Sequence, residues 1–230
     1  MLREVVTPEG LVDYGLLAER RAALDAYVLW LGRDRPRVDR ENTQHHVWLN
    51  AYNALVMYAV LETGRPASVD EVSGWLPWQG AGFFAERAFV VQGQAVSLGE
   101  IVHERLRGRV MDHRDHAAMG GPFRGGPPVR PELYRLGDLD AQLRDQMGRW
   151  LADEERGVRV DGERAVFSAV LERYAYDFSF FTAGEDPCKM AAHFLEGSKA
   201  RGLEELSRAG CPHGFLPFDR GLNDADRAGR

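Results

Sequence analysis

The longest apolar stretch of the chain, residues 48–61, predicts a helix that is buried on nearly all sides. Two asparagines, Asn50 and Asn53, lie three positions apart in this stretch and therefore share one face of the helix. A buried amide must find hydrogen-bond partners or cost a few kcal/mol. Polar groups therefore meet this helix inside the protein. They belong either to loop backbone that the amides hold or to the wall of a functional pocket.

Apolar residues at helical spacing predict further helices, and two stretches predict hairpins. The hairpins are "FVVQGQAVS", which turns at Gln92-Gly93, and "GVRVDGERAVF", which turns at Asp161-Gly162. The predicted helices cover residues 11–31, 98–106, 139–151, 169–173 and 187–200. Because helix exceeds strand and the strands form antiparallel pairs, we predict an α+β fold that is mainly helical, with a small antiparallel sheet and hairpins.

Residues 67–87 show no clear period, which predicts loops and short turns. This stretch contains Trp75, Trp78, Phe83 and Phe84, and such large aromatic side chains are expected to be largely packed away.

Length and composition indicate one domain. The chain has 230 residues, of which 44% are hydrophobic and 28% are charged. This is enough for one sizeable core and too little for two comfortable domains. We therefore expect residues 1–230 to form a single domain.

The charge balance limits the classes of partner. The net charge is -6 and no basic run is present, so the sequence gives no electrostatic case for nucleic acid or an anionic membrane surface. We expect no nucleic acid and no membrane partner, and a small-molecule or peptide ligand instead. The start of the chain shows no signal-peptide core and no run has the length of a membrane span, which predicts a cytoplasmic protein. The oligomeric state is left open.

Several segments in a fixed order resemble a known family, the domain of unknown function 547. The helix stretch that carries Asn50 and Asn53 resembles the opening signature of the family. The resemblance extends from about Val12 to Asn223. It rests on the segments "VDYGLLAERRAALDAYV", "WLNAYNALVMYAVLE", "VSLGEIVHERLRG", "DHRDHAAMGGPFRGGPPV", "LERYAYDF" and "FLPFDRGLND".

One segment departs from the family pattern. The family typically ends a strand with a histidine and follows it with an Asn-Cys-Gly step and a Ser-Cys-Pro step. His116 stands at the histidine position, but Gly120-Gly121 and Gly125-Gly126 replace the two steps that carry cysteine. The resemblance therefore implies a divergent member that lacks the family's cysteine pair and any thiol nucleophile at that place.

The candidate site residues combine acid–base groups with polar groups of the family segments. His116, His103 and Asp177 are the candidates for acid–base catalysis. His116 is expected at a strand end beside the loop of residues 120–128, where it should titrate near pH 6 to 7 as an unperturbed imidazole does. The candidate substrate-binding residues are Asn50, Tyr52, Asn53, Gly121, Asp219 and Asn223.

No metal and no cofactor are expected. His103, His113 and His116 with Asp112 are the nearest approach to a metal site, but they lack the close or i, i+4 spacing that makes such sites specific. The loop of residues 120–131 fits neither a phosphate-binding loop nor a dinucleotide fingerprint.

The two cysteines, Cys188 and Cys211, are expected to be free or ordinarily packed, although one disulfide remains open. Cys188 follows Asp186-Pro187, which is typical of the start of a helix, where a thiol pKa is lowered.

Three functions are consistent with these features. The first is a ligand-binding or accessory protein with a retained polar pocket. The second is an enzyme of altered chemistry, a hydrolase, lyase or transferase, that uses His116 or His103 as acid or base. The third is a thiol enzyme that works through Cys188 or Cys211.

Overall fold

The computed structural model describes residues 1–33, 44–76, 78, 80–108, 112–181 and 186–227. The α-helices of these residues are α1 (Leu2–Val5), α2 (Tyr14–Glu19), α3 (Arg21–Gly32), α4 (His45–Glu62), α5 (Ala81–Phe84), α6 (Leu98–Glu100), α7 (Asp115–Ala118), α8 (Leu139–Ala152), α9 (Ala169–Arg173), α10 (Ala175–Phe181), α11 (Pro187–Ala192) and α12 (Gly197–Arg208). Short 3₁₀ turns lie at Val69–Glu71, Leu136–Asp138 and Ala225–Arg227, and α6 continues as a π-helical segment over Ile101–Leu106.

Helix α4 confirms the prediction of a buried apolar helix and shows what its two asparagines do. The Asn50 amide donates to the carbonyl of Tyr134 at 2.8 Å and accepts from the Tyr134 N–H at 2.9 Å. The Asn53 amide donates to the carbonyl of Ala118 at 3.0 Å and accepts from the Gly120 N–H at 2.9 Å. Both side chains therefore hold loop backbone, the first of the two alternatives that the sequence left open.

Two predicted helices are each divided in the structure. The helix expected over residues 11–31 is interrupted at Arg20, whose backbone N–H closes α2 on the carbonyls of Leu16 and Ala18. The helix expected over residues 187–200 is interrupted before Gly197, which has a φ of +71°. That left-handed conformation favours glycine and does not continue a helix.

The strands form a hairpin and a three-stranded sheet. β1 (Ala88–Val91) and β2 (Gln94–Ser97) pair antiparallel across the predicted turn. β3 (Val158–Asp161) pairs antiparallel with β4 (Arg164–Phe167), and β4 pairs parallel with β5 (His213–Phe215). The fold class is confirmed. The prediction that all strands pair antiparallel is wrong for β4 and β5. Helices α9 to α12 separate these two strands in the chain, and such a crossover allows parallel pairing.

The apolar residues form two clusters. The first surrounds α4 and includes residues of α2, α3 and the β1–β2 hairpin. The second joins α8, the three-stranded sheet, α11 and α12. The prediction that the large aromatic residues of 67–87 are packed away is confirmed for Phe83, which is fully buried, and Phe84, which is partly buried against the core. It is wrong for the tryptophans, since Trp75 is 81% and Trp78 is 49% exposed. The backbone N–H groups of Trp75 and Leu76 both bind the Glu86 carboxylate, so backbone rather than indole faces the protein there.

Among the described helices, none combines the length and the apolar character that crossing a membrane requires.

Cys188 and Cys211 form a disulfide with a Cα–Cα distance of 5.8 Å. The expectation of free thiols is therefore wrong, and so is the description of this chain as one without a cysteine pair. Cys188 lies in the first turn of α11, as predicted, and Cys211 follows α12. The packing of these two helices against each other brings the two sulfurs together, which no short sequence pattern could show.

Replacement of Asn53 by alanine should reduce the free energy of unfolding by about 1–3 kcal/mol, because the Ala118 carbonyl and the Gly120 N–H would lose their partner. Chemical denaturation measures the change. Ser198→Ala, at an exposed position without a side-chain hydrogen bond in the described residues, is the control. Equal stability of the two variants would contradict the role given to Asn53.

Loss of the disulfide should lower stability by about 2–4 kcal/mol, because the bond closes a loop between positions 23 residues apart. Urea unfolding of the intact protein and of the Cys188→Ala/Cys211→Ala double variant measures this loss. Unfolding midpoints that coincide would show that the bond does not form in solution.

Candidate functional site

A cavity of about 870 Å³ lies where α4, the α6–π-helical segment, α7, α9 and the loops after α7 and β5 meet. Its aromatic walls are Tyr52, Trp78, Phe84, Phe123, Tyr174 and Phe218. Its charged or titratable lining residues are Asp70, Glu100, His103, Glu104, His116, Glu172, Arg173 and Arg220. Four of the predicted site residues, Tyr52, His103, His116 and Gly121, line this cavity.

His116 lies on α7 and not at a strand end, so that part of the prediction is wrong. It lies in one short helical turn, which backbone hydrogen bonds to the carbonyls of Asp112, His113 and Arg114 hold in place. The His116 side chain is 2% exposed, and its ring stacks on that of Tyr174 with a centroid distance of 4.3 Å. Its Nε2 contacts the Asp177 Oδ2 at 2.8 Å. The sequence thus named two partners that lie in contact, His116 and Asp177.

Arg107 binds the carboxylate of Asp177 that His116 contacts. Its Nε and Nη2 donate to the two oxygens of Asp177 at 2.6 Å and 2.9 Å, a bidentate pair. Its Nη1 lies 2.8 Å from the Nδ1 of His103. A guanidinium can only donate, so the His103 Nδ1 accepts and its proton lies on Nε2. One chain of hydrogen bonds therefore runs from His116 through Asp177 and Arg107 to His103.

The electrostatics of the site favour a neutral imidazole and an ionised carboxylate. The hydrogen bond from Arg107, aided by that from His116, holds the pKa of Asp177 below its usual value against the opposing effect of burial. Burial lowers the pKa of His116 to about 4 despite the neighbouring carboxylate. The expected titration near pH 6 to 7 is therefore wrong for this residue, because burial penalises the imidazolium more than Asp177 stabilises it.

Two polar atoms of the buried cavity wall have no partner in the described part of the chain. Because the His116 Nε2 donates to Asp177, the ring's lone pair lies on Nδ1, for which the described residues offer no hydrogen bond. The Tyr52 hydroxyl likewise has no hydrogen-bond partner among the described residues, although Tyr52 is only 6% exposed. Both atoms keep some accessible surface, and because both residues line the cavity, these atoms open to it. Burial raises the pKa of Tyr52, which keeps its phenol protonated.

His103 is exposed and lies in the π-helical segment rather than in a regular α-helix. The wider turn changes which side chains share a face, and Arg107 at the end of this segment reaches Asp177. The part of the ring that is shielded from water, followed by the charge of Arg107, lowers the pKa of His103.

The remaining predicted site residues frame the cavity or lie outside it. Asn50 and Asn53 hold the backbone of the flanking loops and do not line the cavity. Asn223 donates to the carbonyl of Gly121 at 2.8 Å, which fixes that part of the wall. Asp219 is exposed and binds the N–H of Gly221 at 2.8 Å, away from the cavity lining.

Arg107 and Tyr174 are the site residues that sequence reasoning missed. Arg107 and Asp177 are 70 positions apart, and no spacing rule connects residues so distant in the chain. Tyr174 stacks on His116 and carries the Arg107 guanidinium 4.9 Å from its ring centroid. The only local signal was the position of Tyr174 three residues before Asp177 in a segment that resembles the family.

A second buried histidine–carboxylate pair lies next to the site. His45 at the start of α4 contacts Asp115 of α7 at 2.7 Å, and both side chains are almost fully buried. Burial raises the pKa of Asp115 to about 6, with the contact to His45 opposing it. This pair fixes α7, and with it His116, against α4.

Within the described ranges, Asp186, Cys188 and Cys211 are the one group of three or more possible ligands whose atoms lie close enough to share a metal ion. The two sulfurs are bonded to each other, so this group lacks the thiolates that a metal would need.

Comparison with known proteins supports the resemblance seen in the sequence. No curated protein and no solved structure matches the chain. The sequence model of the family described as "Protein of unknown function, DUF547" matches residues 37–151, half of the chain. The matched range holds α4, the π-helical segment, Arg107, His116 and Gly121, whereas Asp177 follows it. The chain belongs to the DUF547 family.

Proposed function

We propose that the cavity binds a small molecule. The observation that carries this proposal is a cavity of about 870 Å³ whose buried wall presents two unpartnered polar atoms, the Tyr52 hydroxyl and the His116 Nδ1. Ligand sites of proteins are typically concave, of roughly 300–1,000 Å³, and mostly apolar with a few placed polar groups. Unpartnered polar groups in a buried wall are costly unless a ligand or water meets them.

The walls suit a ligand with an apolar or aromatic body. Phe123 lies between Phe84 and Phe218, with ring centroids 6.0 Å and 5.5 Å away. Such faces offer a large contact area to a flat or aliphatic group, while Tyr52 and His116 fix its orientation through hydrogen bonds.

A second candidate, an enzyme that works by acid–base chemistry, is favoured by the contact of His116 with Asp177. In that arrangement the carboxylate holds the ring in the tautomer whose Nδ1 can accept a proton from a substrate. The protonated Tyr52 would serve as the acid on the same cavity wall. The bond between Cys188 and Cys211 leaves neither sulfur as a nucleophile, so the thiol hypothesis is wrong for the disulfide form.

The compartment and the partners remain predictions. A disulfide is more typical of oxidising compartments than of the cytosol, so the bonded pair weighs against the expected cytoplasmic location. The expectations of a small-molecule or peptide ligand and of no nucleic acid rest on the cavity and on the net charge of -6.

The binding proposal predicts that a bulky side chain at Gly121 closes the site. A Cβ added at Gly121 meets no atom within 4 Å, so Gly121→Phe would place its ring in open space at the cavity wall without backbone strain. Gly137→Phe is the matched control, because Gly137 is equally open, exposed and outside the lining. Saturation-transfer NMR with neutral aromatic alcohols, with tryptophol as the reference probe, measures binding.

We expect the intact protein and Gly137→Phe to bind the probe, and Gly121→Phe to bind it at least about tenfold more weakly, because the new ring occupies the space of the ligand. Absence of binding by the intact protein, or equal binding by both variants, would overturn the proposal.

The acid–base candidate predicts a particular pH profile. The His116 pKa of about 4 means that the base form is present throughout the neutral range. Any turnover should therefore increase as the pH rises through about 4, stay level between about pH 6 and 8, and be lost in His116→Gln. A rate that follows a group near pH 6.5, or one that survives in His116→Gln, would exclude His116 as the base.

A further inference from the structure

We propose that the ligand of this cavity carries a protonated amine, which the carboxylates of Glu104 and Glu172 attract and the Tyr52 hydroxyl and His116 Nδ1 receive. The inference rests on the proposed binding function and adds to it the chemical class of the ligand.

Glu104 and Glu172 differ from the other acids of the lining. Asp70 forms a bidentate ion pair with Arg220, and Glu100 accepts a hydrogen bond from the backbone N–H of Ser97 in a capping box. Glu104 and Glu172 have neither an ion pair nor a hydrogen bond with any residue that the structure describes. They come from different elements, the π-helical segment and α9, and line the same cavity. Both side chains are exposed, and the cavity lining therefore presents two carboxylates that no cation of the described residues pairs with.

The inner wall gives an independent observation of the same kind. Tyr52 is more than nine-tenths buried, lines the cavity, and has a hydroxyl without a partner in the described ranges. The His116 Nδ1 can only accept a hydrogen bond while Nε2 donates to Asp177. An ammonium group has three donors and no acceptor. Its N–H groups would satisfy the imidazole nitrogen and the phenol oxygen of the buried wall, while its charge would be attracted by the two exposed carboxylates.

The aromatic lining already accommodates cations. The Arg107 guanidinium lies 4.9 Å and that of Arg173 lies 5.8 Å from the ring centroid of Tyr174. Aromatic faces attract cations by about 0.5–1 kcal/mol at exposed sites and more where water is excluded. A protonated amine would meet further faces of this type along the wall.

Arg173 is the lining cation that decides between an amine and an anion. It has no carboxylate partner in the part of the chain that the structure describes. An anionic ligand would use Arg173 and be repelled by Glu104 and Glu172. An amine would be attracted by Glu104 and Glu172 and repelled by Arg173. The two classes of ligand therefore predict opposite effects of the same substitutions on affinity.

Three probes with one indole skeleton test the inference on the full chain by saturation-transfer NMR titration. Tryptamine carries an ammonium group, tryptophol a neutral hydroxyl, and indole-3-propionate a carboxylate. We expect tryptamine to bind roughly tenfold more tightly than tryptophol, since each exposed charge pair contributes up to about fivefold. Indole-3-propionate should bind more weakly than tryptophol.

Substitutions of the charged lining residues then show which side chains cause the preference for tryptamine. Glu104→Gln/Glu172→Gln should bring tryptamine down to the affinity of tryptophol, while Arg173→Gln should tighten tryptamine binding. Glu205→Gln, an exposed acid of α12 outside the lining, is the matched control and should leave all three affinities unchanged. Preference for indole-3-propionate, or a preference for tryptamine that survives the double substitution, would overturn the inference.

Failure of this inference is distinguishable from failure of the binding proposal. Binding of tryptophol that Gly121→Phe removes, without a preference for tryptamine, would overturn the amine and retain the site. Absence of binding by all three probes would overturn both.

Discussion

The carboxylate of Asp177 is the group on which the arrangement of the cavity depends. It is 7% exposed, and an ionised carboxylate so far from water is stable only if other groups compensate its charge. The bidentate contact with Arg107 supplies that compensation, and His116 satisfies the same oxygen that Arg107 Nε binds. Asp177 thereby joins α10, the end of the π-helical segment and α7, three elements that are distant in the chain.

The buried helix α4 supplies the other half of the framework. Asn50 and Asn53 do not line the cavity, but their amides hold Tyr134 and the Ala118–Gly120 backbone. The second of these segments lies between His116 and the wall residue Gly121. Asn223 donates to the Gly121 carbonyl and itself accepts a hydrogen bond from Tyr14. The polar residues of the family segments therefore act on the cavity by positioning its loops.

The sequence was sufficient for the features that depend on local pattern. The buried helix α4 and the two hairpins, β1–β2 and β3–β4, follow from period and turn residues, and all three are present. The contacts that form the site depend on residues far apart, such as Arg107 with Asp177 and Cys188 with Cys211, for which the chain carries no periodic signal. The titration expected of His116 failed for the same reason, because burial is a property of the tertiary structure.

Burial keeps His116 neutral, and Asp177 holds the ring proton on Nε2, which leaves the lone pair on Nδ1 open to the cavity. Nitrogen-15 NMR of the histidine side chains, with the His116 signals assigned from His116→Gln, reports the protonation state and tautomer directly. At neutral pH we expect a neutral ring protonated on Nε2 that keeps this state down to about pH 5, since burial lowers its pKa to about 4. A ring protonated on Nδ1, or an imidazolium at neutral pH, would contradict the account.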